Sequence, residues 1–264
     1  MKKQVPSSHH RKPKDTSWEA VASWYDTLLS TDTDSYQAQV IAPNLMRMLS
    51  LKKGEVVFDV ACGQGYFSEL CHASGATVVA SDLSKQLIER ARTHTDTSIA
   101  YHVSPAHKAP FIKTESLDAV IIILAIQNIE NVAEVFAECK RMLKPHGRMI
   151  LVLNHPAFRV PQSSDWYFKD DTQYRIVGKY LSESKISIDM TPGEKNPKKK
   201  IKTISFHRSL QYYMKLLAKN NFAITRLEEW ISHKKSGVGP RQKAEDIARK
   251  EIPLFLALEV KQIK

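Results

Sequence analysis

Val56-Val57-Phe58-Asp59-Val60-Ala61-Cys62-Gly63-Gln64-Gly65-Tyr66-Phe67 reads as an apolar, β-branched strand that ends in a carboxylate and passes at once into a glycine turn. Glycine adopts φ > 0 and has no side chain to block approach, so such a turn brings bare backbone N–H groups up to a ligand. Seventeen residues past Gly65 stands Asp82, at the end of a second apolar run, Thr77-Val78-Val79-Ala80. An acid at about that distance holds the two hydroxyls of an adenosine ribose in nucleotide-binding α/β folds. The pair predicts a nucleotide-like cofactor.

Asp59 decides which one. A dinucleotide fold packs its glycines against a pyrophosphate and holds that charge at the positive end of a helix, so a carboxylate at the mouth of the loop would repel the ligand. The third glycine is also missing, with Ser68 in its place. A ligand with adenosine at one end and a cationic amino-acid group at the other suits both acids. S-adenosylmethionine has that form.

Outward from this stretch, strands expected at 55–60, 77–81, 98–103, 117–124 and 148–153 alternate with helices at 65–74, 84–93 and 130–143. Alternation of this kind means a doubly wound α/β sheet with crossovers, whose ligands bind at the carboxyl ends of the strands. Asp59, Asp82, Gln127-Asn128 and Asn154-His155 all fall at such ends. Ahead of the first strand, Thr16-Ser17-Trp18-Glu19 is a capping box before apolar residues at helical spacing, Tyr25 among them. Residues 155–208 are too many for an ordinary connection. Within them 185–190 and 200–207 alternate like two strands around Pro192-Gly193 and Asn196-Pro197, which predicts one inserted hairpin capping the cleft. A helix at 209–219, a strand at 222–231, a helix at 241–250 and a strand at 254–260 complete seven strands.

Asp59-Val-Ala-Cys-Gly63-Gln-Gly65, Ser81-Asp82-Leu83-Ser84 and Leu143-Lys144-Pro145-His146-Gly147-Arg148 resemble the first motif, the ribose acid and the turn before strand five of class I S-adenosylmethionine-dependent methyltransferases. The nearest set is the methyltransferase type 11 group, which includes enzymes of ubiquinone and menaquinone biosynthesis. The motifs cover roughly residues 18–154 and are silent about the acceptor. The resemblance implies a Rossmann-like sheet, mostly parallel with an antiparallel last strand, in one domain from 16 to 264 after a basic tail at 1–15. It further implies that Tyr25, Asp59, Ala61, Cys62, Gly63, Gly65, Asp82, Leu83, Ser104, Ala106 and Gln127 contact S-adenosylmethionine. Two positions depart from the family pattern. Ala61 replaces its first glycine, and Pro105 stands where an aspartate binds the adenine amino group, which leaves packing, Ser104 or backbone to hold the base.

Methyl transfer from a sulfonium needs a positioned nucleophile and a dry site, with a base only if the nucleophile arrives protonated. His155 and His207 are the first candidates for that base, followed by Glu229 and His233; each has a plain alternative as a turn, ion-pair or surface residue. Asn154-His155-Pro156-Ala157-Phe158 matches poorly the Asn/Asp-Pro-Pro-aromatic motif of amino-methyltransferases, which follows strand four. The aromatic run Trp166-Tyr167-Phe168 covers a planar or apolar substrate, stacks on bases if the partner is RNA, or forms the insertion's own small core.

At 264 residues the chain forms one substantial core, and its 42% hydrophobic and 25% charged residues are ordinary for a soluble protein. No signal peptide is visible and the longest apolar run, 119–126, is too short to cross a bilayer. Three cysteines without metal spacing argue against a disulfide framework and a zinc site, so a cytoplasmic protein with no metal is expected. The net charge of +11 is concentrated in residues 1–17 and 194–202. Solvated charge is the preferred reading and a small-molecule acceptor the expected partner; an RNA or protein substrate held by these lysines is the rival, and a non-catalytic cofactor-binding protein a more distant one.

Overall fold

The computed structural model describes residues 34–191, 196 and 200–263. Tyr25, the leading helix, the basic tail and Lys198 and Lys199 lie outside them. A seven-stranded sheet is the frame. Its strands are β1 (Val56–Val60), β2 (Thr77–Asp82), β3 (Ala100–Val103), β4 (Leu117–Ile123), β5 (Leu143–Asn154), and later in the chain Phe222–Trp230 and Phe255–Gln262. In space β3, β2, β1, β4 and β5 lie side by side, followed by Phe255–Gln262 and then Phe222–Trp230 at the edge. The first five run parallel, and the last strand is antiparallel to both of its neighbours, as expected.

The central strands read as near-continuous apolar runs because helices cover both faces. On one face α1 (Ala42–Leu49), α2 (Tyr66–Ala73) and α3 (Lys85–His94) pack Leu45, Phe67 and Ile88 onto Val57, Ala119 and Ile121. On the other, α4 (Val132–Met142) and α5 (Leu210–Lys219) set Phe136 and Tyr213 against Phe58, Val120 and Leu151. Each such large apolar side chain contributes about 1.5–3 kcal/mol by leaving water. A last helix, α6 (Gln242–Glu251), precedes the antiparallel strand. The start of α3 is set by Ser84, whose Oγ accepts the Leu87 N–H at 3.3 Å.

The insertion differs from expectation. It holds two hairpins, not one: β6 (Ser164–Lys169) with β7 (Thr172–Val177), and β8 (Ser184–Asp189) with β9 (Lys202–His207). The second was expected. The first turns at Asp170-Asp171, both at positive φ (49° and 54°), a two-residue turn of the kind usually marked by Asn-Gly. Aspartate tolerates that conformation without glycine's signal. With β6 to β9 so assigned, the edge strand is β10 and the antiparallel strand β11.

Among the described residues no helix is long and apolar enough to cross a membrane. Cys62, Cys71 and Cys139 are all free thiols.

Candidate functional site

At the carboxyl ends of the parallel strands lies a cavity of about 480 Å3. Asp59, Ala61, Cys62 and Gly63 line it from the end of β1, Asp82 and Leu83 from the end of β2, and Ser104, Pro105 and Ala106 from the loop after β3. Leu124, Asn128, Ile129 and Glu130 follow β4, and the β8–β9 hairpin adds Lys185, Ile204 and Phe206. The topology thus gathers residues spread over almost 150 positions, because every crossover returns the chain to the same edge of the sheet.

Asp82 is held by its own loop: Oδ1 accepts the Ser84 N–H at 2.8 Å and Oδ2 the Gly63 N–H at 3.0 Å. Burial pushes its carboxyl above the usual range, and these N–H groups pull it back. A carboxylate offers about four lone-pair sites, so each oxygen keeps one for a ligand. Asp59 is only 2% exposed, and its Oδ2 accepts from Ser68 Oγ at 2.7 Å. Burial pushes this carboxyl up to about 7, the Ser68 hydroxyl works against that, and the charge of Asp82 adds to it. Burial also raises the Cys62 thiol well above its ordinary value, with Asp59 and Asp82 reinforcing it, so Cys62 is no thiolate nucleophile.

Ala61 occupies the left-handed region at φ 57°, beside Gly63 at 58°. A Cβ there costs about 1–2 kcal/mol, which the family's glycine avoids. Ala61→Gly is therefore expected to stabilise the fold by up to about 1 kcal/mol, after about 0.4–1 kcal/mol of glycine entropy is returned to the unfolded chain. A rise of about 1–4 °C in Tm is the expected calorimetric result. A fall in Tm would contradict the strain assigned to this loop.

Of the expected cofactor contacts, Asp59, Ala61, Cys62, Gly63, Asp82, Leu83, Ser104 and Ala106 face this cavity. Gly65 does not. It has φ 86° at the start of α2, and a Cβ on it would overlap the Tyr101 hydroxyl, which is bonded to Thr95 Oγ1 at 2.9 Å. Its lack of a side chain makes room for that hydroxyl. Gln127 also turns away, its Nε2 donating to the Leu124 carbonyl at 2.7 Å, and lines a smaller neighbouring pocket.

Both expected catalytic histidines stand outside the lining of the large cavity. His155 is buried, with Nε2 donating to Glu229 Oε1 at 2.7 Å and Nδ1 accepting the Ala157 N–H at 3.2 Å. Burial lowers its pKa, and Glu229 only partly restores it. Both ring nitrogens are engaged, and Glu229 with them. His207 Nε2 donates to the Tyr180 carbonyl at 2.8 Å, while the Tyr180 hydroxyl accepts the Leu210 N–H at 3.0 Å; together they fasten the insertion to α5. His233 contacts Asp34.

The sequence reading missed Gln64, whose Oε1 is buried at the cavity without a hydrogen-bond partner among the described residues. Such an acceptor costs roughly 1–3 kcal/mol unless something donates to it. It also missed the closure of the mouth. Lys185 Nζ lies 3.4 Å from Glu130 Oε1 and 5.3 Å from the centre of the Phe206 ring, and Arg208 donates to the carbonyls of Ile129 (2.9 Å) and Glu130 (2.8 Å). The hairpin is thereby tied to the loop after β4.

Comparison with known proteins follows the same lines. Residues 58–151 match a family model described as a methyltransferase domain. A demethylmenaquinone methyltransferase from Clavibacter sepedonicus is 34% identical over 148 residues, which cover 53% of this chain and 58% of that protein. A ubiquinone biosynthesis O-methyltransferase from Xanthomonas oryzae pv. oryzae is 33% identical over 101 residues, 37% of this chain and 42% of the relative. The chain spans about half the length of the curated relatives it matches. Among solved structures, an S-adenosylmethionine-dependent methyltransferase from Mesorhizobium loti superposes with a TM-score of 0.65 at 26% identity, over 83% of this chain and 96% of that one.

Proposed function

We propose that this chain, whose residues 58–151 match the model of a methyltransferase domain, transfers the methyl group of S-adenosylmethionine to a small or medium organic acceptor. The observation that carries the reading is the convergence of the buried Asp59 and the half-buried Asp82 carboxylates with the left-handed loop at 61–63 on one largely apolar cavity. In this reading Asp82 uses its remaining lone pairs on the ribose hydroxyls. Asp59 and Gln64 Oε1 accept from the α-ammonium group. Leu83, Pro105 and Ala106 pack against adenine, with no acid for its amino group. Phe67, Ile129, Ile204 and Phe206 surround the acceptor and keep water from the sulfonium.

The reaction is an in-line displacement: a lone pair of the acceptor attacks the methyl carbon, the carbon–sulfur bond breaks, and the sulfonium leaves as a neutral thioether. Positioning and exclusion of water supply most of the acceleration. If the acceptor arrives protonated, His107 and Glu130, which line the cavity, join His155 and His207 among the first positions to test. A cytoplasmic site of action belongs to the same proposal. Against the RNA rival stands Lys200, which pairs with Asp189 at 3.0 Å, so part of the basic run is already neutralised. Incubation with methyl-labelled S-adenosylmethionine and separated cell extracts is expected to place label in the small-molecule fraction. Label confined to RNA or protein would overturn the acceptor class.

The raised Asp59 carboxyl makes cofactor affinity pH-dependent. In the free protein it titrates at about 7, above the unfolded value of about 3.9, so stability derived from its protonated form is lost as pH rises towards 7. A cationic ammonium beside it favours the charged form, and binding then expels a proton. Affinity for S-adenosylmethionine is expected to rise with pH up to about 7 and level off above, by at most about tenfold per unit. Asp59→Asn should bind more weakly and with a flat profile. A wild-type affinity constant from pH 5.5 to 8 would remove Asp59 from the ammonium site.

A further inference from the structure

Beside the large cavity, and sharing Phe206 with it as a wall, lies a pocket of about 30 Å3. Arg159, Asn154, Gln127, Pro156 and His207 are among its lining residues. Arg159 is carried on the turn after β5, where its N–H donates to the His155 carbonyl at 2.9 Å. Its guanidinium is half-buried and makes no hydrogen bond or ion pair with any described residue; the groups in electrostatic reach are the Tyr36 hydroxyl and a second cation, Arg175. The neighbouring charges are committed elsewhere. Arg208 donates to two carbonyls, His207 to a third, Arg175 to the Phe158 carbonyl and Ser164 Oγ, and Glu229 is bound to His155. Asp165 acts on Arg175 and not on Arg159.

A cation drawn out of water without a carboxylate, and near a second cation, is unfavourable unless another molecule brings the counter-charge. We propose that Arg159 holds a carboxylate of the methyl acceptor in this pocket, so that the acceptor is an apolar molecule with an acidic end. The assignment of the ligand as acceptor rests on the methyltransferase reading above. The pocket of about 30 Å3 has room for the polar end of a small anion such as a carboxylate. The planar guanidinium matches a carboxylate with two parallel N–H donors. Gln127 Oε1, buried and without a partner among the described residues, adds an acceptor at the same wall for a hydroxyl or N–H next to the acid.

The test is thermal unfolding of the full chain saturated with S-adenosylhomocysteine, with acetate exchanged for chloride at constant ionic strength. Wild type is expected to gain about 2–4 °C in high acetate, Arg159→Lys a smaller part of that, and Arg159→Met nothing. Without anion, Arg159→Met should melt no lower than wild type, because it loses no partner. Equal acetate shifts in wild type and Arg159→Met, or no shift in wild type, would overturn the proposal. A larger shift from inorganic phosphate than from acetate would overturn the carboxylate assignment. Affinity for S-adenosylhomocysteine is measured separately in both proteins and should be equal. Its absence in wild type would sink the methyltransferase reading while the acetate result still judged the anion site.

Discussion

Replacing residues 184–206 by a short glycine-serine link is expected to abolish methyl transfer while leaving affinity for S-adenosylmethionine nearly unchanged. The segment supplies Lys185, Ile204 and Phe206 to the cavity. None of the carboxylates or loop atoms assigned to the cofactor belongs to it. What the link removes is the wall against which the acceptor is oriented, together with the dryness of the sulfonium. Positioning of this kind is worth several kcal/mol of a barrier, so the loss in kcat/KM should reach several orders of magnitude. Isothermal titration and a turnover assay on the same folded variant separate the two effects. A large fall in cofactor affinity would show that the hairpin belongs to the cofactor site.

Asp82→Ala carries the second large effect. Its carboxylate is expected to accept both ribose hydroxyls, and hydrogen bonds to a charged group contribute about 1.5–3 kcal/mol, so affinity for cofactor and for its demethylated product should fall roughly tenfold or more. The substitution also takes the acceptor from the Gly63 and Ser84 N–H groups, which loosens the loop that carries Ala61. Asp82→Asn keeps one acceptor oxygen and should lie between the two. Equal affinity in wild type and Asp82→Ala would refute the ribose assignment.

These effects rest on features that were legible to different degrees. The seven-stranded sheet was readable because its central strands are apolar runs, such as Val78-Val79-Ala80 and Val120-Ile121-Ile122-Ile123, and the helices between them carry an apolar stripe. Asp59 and Asp82 were readable because strand ends share one edge of a parallel sheet. Strand-end position fixes the location of a Cα but not the direction of a side chain. His155 stands at the end of β5, as expected, yet its ring turns inward to Glu229 on β10, a strand 74 residues further along the chain. Gly65 has the left-handed backbone that its motif suggests, but the atom excluding a side chain there is the hydroxyl of Tyr101 on β3, beyond any local pattern. The β6–β7 hairpin was hidden because Asp170-Asp171 carries no glycine. Arg159 was invisible as a site, since a lone arginine in a loop acquires meaning only when its surroundings lack an acid.

A structure of the protein with S-adenosylhomocysteine bound is expected to show ligand density in the 480 Å3 cavity, with both ribose hydroxyls on the Asp82 carboxylate and the amino group directed at Asp59 and Gln64. Density elsewhere, or a ligand in the cavity with its ribose away from Asp82, would contradict this placement.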